Sequence, residues 1–234
     1  MDVATLVLLH SPFVTAQTWG ELPSVLAQLG HAVVVVEVVD DDHPPYAATY
    51  VARAAQQIGR AAPAAPLVLV GHSGAGPLLP QVGESQRAAR RPVAAYVFLD
   101  ATLPRAGASR LDLLHARDEA LAHQTRAELE RGALAPTWTD ADLSASGLDA
   151  HQRVTALAAL RPRGLAFFEE VVPSPGDWPD APCIYVQTSA GAAGVARLAR
   201  LRGFEVVESG GGHLAALVDP TGLARTLHSV VIDL

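Results

Sequence analysis

Apolar residues gather along this chain into six short runs, at positions 6–9, 33–39, 67–70, 93–99, 183–186 and 205–207. Runs this short and nearly unbroken mark strands buried on both faces, since a strand with one wet face alternates apolar and polar positions. Alanine-rich stretches of helical period fill most of the intervals. Strand and helix in alternation predict an α/β domain, with a mostly parallel central sheet covered by helices on both faces.

The alternation lapses once. Residues 1–102 read as strands and helices in turn, and residues 181–234 return with strand, helix, strand, a run of three glycines and a last helix. Between them no strand is convincing. Helical period runs through 109–131, with Asp118, Glu119, Arg126 and Glu130 on the outer face. It resumes through 150–161 and 165–171, until Pro173, Pro175 and Pro179 interrupt it. The chain therefore divides into a core, 1–102 with 181–234, and a helical cap insertion, 103–180.

Composition narrows the function classes. At 234 residues and 50% apolar the chain can bury one sizeable core. Its net charge of −7 is spread thinly, which disfavours nucleic acid and anionic membrane as partners. No apolar stretch reaches the roughly 20 residues of a membrane span, and the start shows no export signal, so a cytoplasmic location is expected. The single cysteine, Cys183, lies in an apolar run as a buried strand residue and cannot form an internal disulfide. A small-molecule substrate is the expected partner, with a homodimer left open. Histidines and carboxylates show no ligand spacing, so neither a metal nor a cofactor is implied.

Candidate chemistry begins where the third run stops, at Gly71-His72-Ser73-Gly74-Ala75-Gly76, before a helix-compatible Pro77-Leu78-Leu79. A strand reversing into a helix holds one side chain on a cramped turn, and only small neighbours leave it room. This is the logic of the G-x-S-x-G elbow: Ser73 projects as a nucleophile and the Gly74 N–H faces a developing oxyanion, with Ala75 in place of the last glycine. A glycine-rich turn can also cradle phosphate, but this chain has no lysine to complete such a loop. The second signal is His213, carried after the last strand on Gly210-Gly211-Gly212, where it can reach Ser73 as general base. His31, His43, His115, His123, His151 and His228 fall on helices or polar loops and are expected to be solvated; His72 is expected to be structural.

With these pieces in place the chain resembles, over essentially its whole length, a compact α/β-hydrolase, similar in layout to plant methyl-esterases and hydroxynitrile lyases. The resemblance rests on Leu8-Leu9-His10-Ser11-Pro12, Trp19, Gly30-His31, the elbow, and Gly212-His213-Leu214 running into Val218-Asp219-Pro220. Arg161-Pro162 to Phe167-Phe168-Glu169-Glu170 resembles the end of the cap. It implies a Ser, acid, His triad in that chain order.

Two positions depart from the family pattern. The acid usually follows the penultimate strand, here 183–186, yet Gln187-Thr188-Ser189-Ala190-Gly191-Ala192 holds no carboxylate. Asp100, at the end of the preceding strand, is the best substitute, because adjacent strands lie about 5 Å apart; Glu208 and Glu169 are fallbacks. Asp219 before Pro220 is better explained as a helix N-cap. The second oxyanion donor should come from position 12, where proline has no N–H, so Phe13 or the Ser11 hydroxyl must serve. Loss of one such donor costs roughly 3 to 4 kcal/mol.

These residues predict acyl transfer to water, with Trp138, Phe167, Phe168 and Trp178 expected to line an apolar pocket. Two other expectations compete. The same Ser/His pair could work as an acid–base couple in epoxide opening, ring closure or lysis, or the chain could be a silent ligand-binding homologue.

Overall fold

The computed structural model describes residues 4–64 and 66–232; the ends of the expected core, 1–3 and 233–234, lie outside the described residues. Its strands are β1 (Thr5–Leu9), β2 (Val33–Val36), β3 (Leu67–His72), β4 (Val93–Leu99), β5 (Ala108–Ser109), β6 (Val171–Val172), β7 (Cys183–Gln187) and β8 (Glu205–Glu208). Six of them form one sheet in the order β2-β1-β3-β4-β7-β8, and every neighbouring pair is parallel.

The continuous apolar runs have a simple cause. Alternate residues of one strand serve two cores: Val7, Leu9, Leu67, Leu69, Tyr96, Phe98 and Tyr185 pack under helices Tyr46–Ala61, Leu79–Ala88 and Ala193–Leu201. Leu6, Leu8, Val68, Val70, Val97, Ile184 and Val186 pack under Leu22–Gln28 and Pro220–Ile232 on the other side. No face of β1, β3 or β4 is left for water. Asp219 caps the last helix as expected, its Oδ1 accepting from the Gly222 N–H at 2.8 Å with Pro220 in the first turn.

Residues 103–180 hold helices Arg110–Arg117, Glu119–Glu130, Asp140–Leu143, Ala150–Ala159 and Leu165–Glu169. Two features depart from expectation. The strands β5 and β6 pair antiparallel where none was expected, each only two residues long and so without a readable period. The periodic stretch 109–131 is two helices, broken at Asp118, whose backbone is extended and whose side chain accepts from the Leu121 N–H at 2.9 Å to cap the second.

The strand order places a crevice. After β1 the chain goes to β2 on one side and then crosses to β3 on the other, so the connections leaving β1 and β3 part to opposite faces above the sheet. Ligands of open parallel sheets bind at such a switch point. Ser11 follows β1 and Ser73 follows β3 at this place.

Candidate active site

Ser73 stands immediately after β3 with φ of 54°, in the left-handed region. A non-glycine residue there costs of order 1–3 kcal/mol and persists only where its surroundings impose it. Those surroundings are tight: a Cβ on Gly71 would lie 2.9 Å from the Leu79 side chain, and one on Gly76 would overlap the Thr102 carbonyl oxygen. The Ser73 carbonyl accepts from the Thr102 N–H at 3.1 Å, fixing the bend to the end of β4.

The residue that follows β4 is Asp100, which is buried. Its Oδ1 accepts from the Thr188 and Ser189 N–H groups at 3.0 Å each, and its Oδ2 accepts from the Ser189 hydroxyl at 2.7 Å. His213 Nδ1 donates to the same Oδ2 at 2.7 Å. Burial alone would push this carboxyl up, but the His213 and Ser189 hydrogen bonds hold it down at about 2. It is therefore a carboxylate at neutral pH. With Nδ1 so engaged, His213 Nε2 faces the Ser73 hydroxyl at 3.0 Å.

The imidazole reaches this place because its loop is anchored twice. Gly212 donates from its N–H to the Thr188 carbonyl at 3.1 Å, and Gly211 and Gly212 adopt φ of 97° and 72°, which side chains resist. His72 donates from Nε2 to the His213 carbonyl at 2.8 Å. Burial, then the neighbouring His213, pushes His72 down to about 3, so it is a neutral structural donor as expected. The fallback acids point elsewhere: Glu208 pairs with Arg200 at 3.1 Å and Glu169 with Arg126 at 2.7 Å.

The three candidate oxyanion donors also converge. Ser11 to Val14 form a turn closed by the Val14 N–H to the Ser11 carbonyl at 3.0 Å, with Pro12 at the position its fixed φ suits. A Cβ on Gly74 would meet Ser11 Oγ at 2.8 Å and the Phe13 ring at 3.1 Å. The Phe13 N–H is directed to Ser11 Oγ at 3.3 Å, which leaves the Ser11 O–H proton to donate onward. Buried His10 ties this turn to the sheet, donating from Nδ1 to the Ser11 carbonyl at 2.8 Å and accepting the Val38 N–H on Nε2 at 2.9 Å.

Comparison with known proteins now decides the family: a model described as the alpha/beta hydrolase family matches residues 6–226. The chain belongs to the α/β-hydrolase family. Membership makes it a hydrolase-type enzyme. No curated protein sequence matches it. Similar solved structures include an extracellular alpha/beta-hydrolase from a Paenibacillus species, at 19% identity over 97% of this chain and 98% of that one, with a TM-score of 0.74. Tomato methylketone synthase I complexed with 2-tridecanone shares 18% identity over 100% and 99% of the two chains, TM-score 0.71. Polyneuridine aldehyde esterase shares 17% over 98% and 99%, TM-score 0.68. At these identities the likeness concerns the fold.

Above Ser73 and His213 this α/β hydrolase has a cavity of about 530 Å³, walled by Ala101, Thr102, Tyr185, Ser189, Ala192 and Val195, with Arg117 and Asp118 on the cap side. The four aromatics expected there do not line it. Phe167 and Phe168 are buried against Phe13, at 5.2 and 5.4 Å between ring centres, behind the Ser11–Val14 turn. Trp178 packs on Tyr96, Phe98 and Phe204, and Trp138 on Leu143, Leu148 and Leu217. Their size suited the general core as well as a pocket, and nothing in their spacing told the two apart.

Sequence reasoning missed Arg117, Asp118, Tyr185 and the Thr188–Ser189 donors, since a wall built from the ends of separate strands has no local signature. His31, expected in water, is instead buried, its Nε2 against His228 Nδ1 at 2.8 Å. Although the sequence showed no metal-ligand pattern, His115, Glu119 and His123 stand together on the exposed side of the cap helices.

Proposed function

We propose that this α/β hydrolase is an esterase-like serine hydrolase that transfers the acyl group of a small-to-medium ester, thioester, lactone or activated amide to water. The unbroken Ser73–His213–Asp100 hydrogen-bond chain carries this reading. His213 Nε2 takes the Ser73 proton as Oγ attacks the carbonyl carbon. The imidazolium so formed is stabilised by the Asp100 carboxylate and then protonates the leaving alkoxide, thiolate or amine. Water, deprotonated by the same nitrogen, releases the acid and restores Ser73. The Gly74 N–H and the Ser11 O–H would hold the oxyanion, with the Phe13 amide orienting Ser11.

The cavity walls fit a small molecule, and the acyl or alcohol part would lie along Tyr185, Ala192 and Val195. A tailoring role in secondary metabolism is part of the proposal, supported by the full-length likeness to methylketone synthase I and polyneuridine aldehyde esterase. So is a cytoplasmic setting, supported by a single cysteine, Cys183, which forms no internal disulfide. Among the described residues no helix is long and apolar enough to cross a membrane.

A fluorophosphonate probe tests the reading. Stoichiometric labelling of the wild type, abolished in a folded Ser73→Ala variant, is the expected result. A wild type that turns over p-nitrophenyl esters of no chain length and resists the probe would overturn it. The Ser11 hydroxyl beside Gly74 would then favour an acid–base lyase or ring-closing reaction without an acyl-enzyme.

A further inference from the structure

The helix break at Asp118 assembles three side chains that acyl transfer does not use. His115 lies on the last turn of Arg110–Arg117, Glu119 opens Glu119–Glu130, and His123 follows one turn later. In a continuous helix the first and last of these would stand about 12 Å apart along the axis. Here one ligand atom from each lies within 4.8 Å of the other two. Glu119 Oε1 and His123 Nε2 are 3.7 Å apart, and the His115 and His123 rings are 5.7 Å apart and nearly perpendicular at 88°. Ligand atoms around a tetrahedral Zn²⁺ stand about 3.4 Å from one another, so small rotamer changes complete the set.

Chemistry and exposure agree with that geometry. Two imidazoles and one carboxylate suit zinc and its transition-metal neighbours, whereas calcium and magnesium prefer oxygen alone. All three side chains are exposed, so no buried charge has to be compensated, and among the described residues Glu119 forms no ion pair with an arginine. We propose that His115, Glu119 and His123 form a divalent transition-metal site, best matched to Zn²⁺, with the remaining position open to water. The ion would cross-link the two helices on either side of the corner that carries Arg117 and Asp118, and these two residues wall the cavity over Ser73. Binding would thus brace one side of the cavity from outside it.

The test uses untagged, chelator-treated full-length protein titrated with zinc chloride in a calorimeter. One Zn²⁺ per chain is expected. His115→Ala and His123→Ala should each weaken binding by at least about tenfold, the lower bound for losing even an outer partner of a metal ligand. Glu119→Gln should weaken it as well, and His151→Ala should leave it unchanged. In parallel, Zn²⁺ should slow amide exchange across 110–130 in the wild type and not in His123→Ala. Failure of the wild type to bind, equal response to magnesium, or affinity unaffected by these replacements and lost instead in His228→Ala or His213→Ala would overturn the proposal. None of these readouts depends on esterase activity.

Discussion

Arg163 donates from Nε and Nη2 to the Pro12 carbonyl at 3.1 and 3.0 Å, clamping the turn that carries Ser11 and Phe13. The same guanidinium pairs with both oxygens of Asp40, at 2.7 and 2.9 Å, and with Asp42 at 2.8 Å. Arg163 and Asp40 are each only 7% exposed at the side chain, so this is a buried pair joining the cap to the core. Removing one partner leaves a buried charge alone. Arg163→Leu should cost about 3–5 kcal/mol in urea unfolding, and Arg163→Leu with Asp40→Leu should recover much of it. Esterase kcat should fall in the single variant more than KM rises, because the turn it releases carries Ser11, the proposed oxyanion donor.

Asp100→Asn should lower kcat by roughly 10³–10⁴-fold with KM little changed, because an amide in this place no longer fixes the His213 proton on Nδ1. Steady-state hydrolysis of a p-nitrophenyl ester measures it. The carboxyl also carries a stability term. Its pKa falls from 3.8 to about 2 on folding, equivalent to about 2 kcal/mol. A depressed carboxyl pKa stabilises the fold fully above about 4, and the contribution is lost as pH falls toward 2. The stability gap between wild type and Asp100→Asn should close across that window.

His72 acts at higher pH. Its imidazole has an ordinary value of 6.5 and about 3 in the fold. The unfolded chain therefore takes up a proton that the native state refuses. The wild type should lose stability as pH falls below 6.5, by about 2 to 3 kcal/mol at pH 4.5 from this residue. His72→Gln, which keeps a donor toward the His213 carbonyl, should show a shallower loss between pH 7 and 4.5 in urea titrations.

Gly76→Ala would drive a methyl group into the Thr102 carbonyl oxygen. Backbone meets backbone there, so neither side can yield by rotating a side chain. A loss of at least about 1–3 kcal/mol in thermal or urea unfolding is expected. Fluorophosphonate labelling at Ser73 should slow in the same variant, since Thr102 is bonded to the Ser73 carbonyl.

The sheet and the bend at Ser73 were legible because their signals are local. Continuous runs such as 67–70, bounded by turn residues, fit strands covered twice, and the serine fenced by small residues at the end of that run fits an elbow in a chain with no lysine for a phosphate loop. Asp100 was a candidate only through the family resemblance, which implies an acid after the penultimate strand; 187–192 held none, and the neighbouring strand lies about 5 Å away. The pairing of Leu99 with Val186 then brings it beside the His213 loop. What escaped depends on meetings between distant positions: Arg163 with Asp40, Asp100 with Ser189, Phe13 with Phe167. The break at Asp118 escaped for a different reason. Apolar period continues in phase through 109–131, and one extended residue that caps its successor leaves that period undisturbed.

With Asp100 just after β4 as the proposed acid, two duties fall to different segments. The segment after β7 supports Asp100 through the donors of Thr188 and Ser189, and holds the His213 loop through the Thr188 carbonyl. Gly191, Ala192 and Val195 beyond them face the cavity with no charge to support. On the proposed function, substituting Gly191 or Val195 should change the shape of the cavity while leaving the hydrogen-bond chain through Asp100 in place.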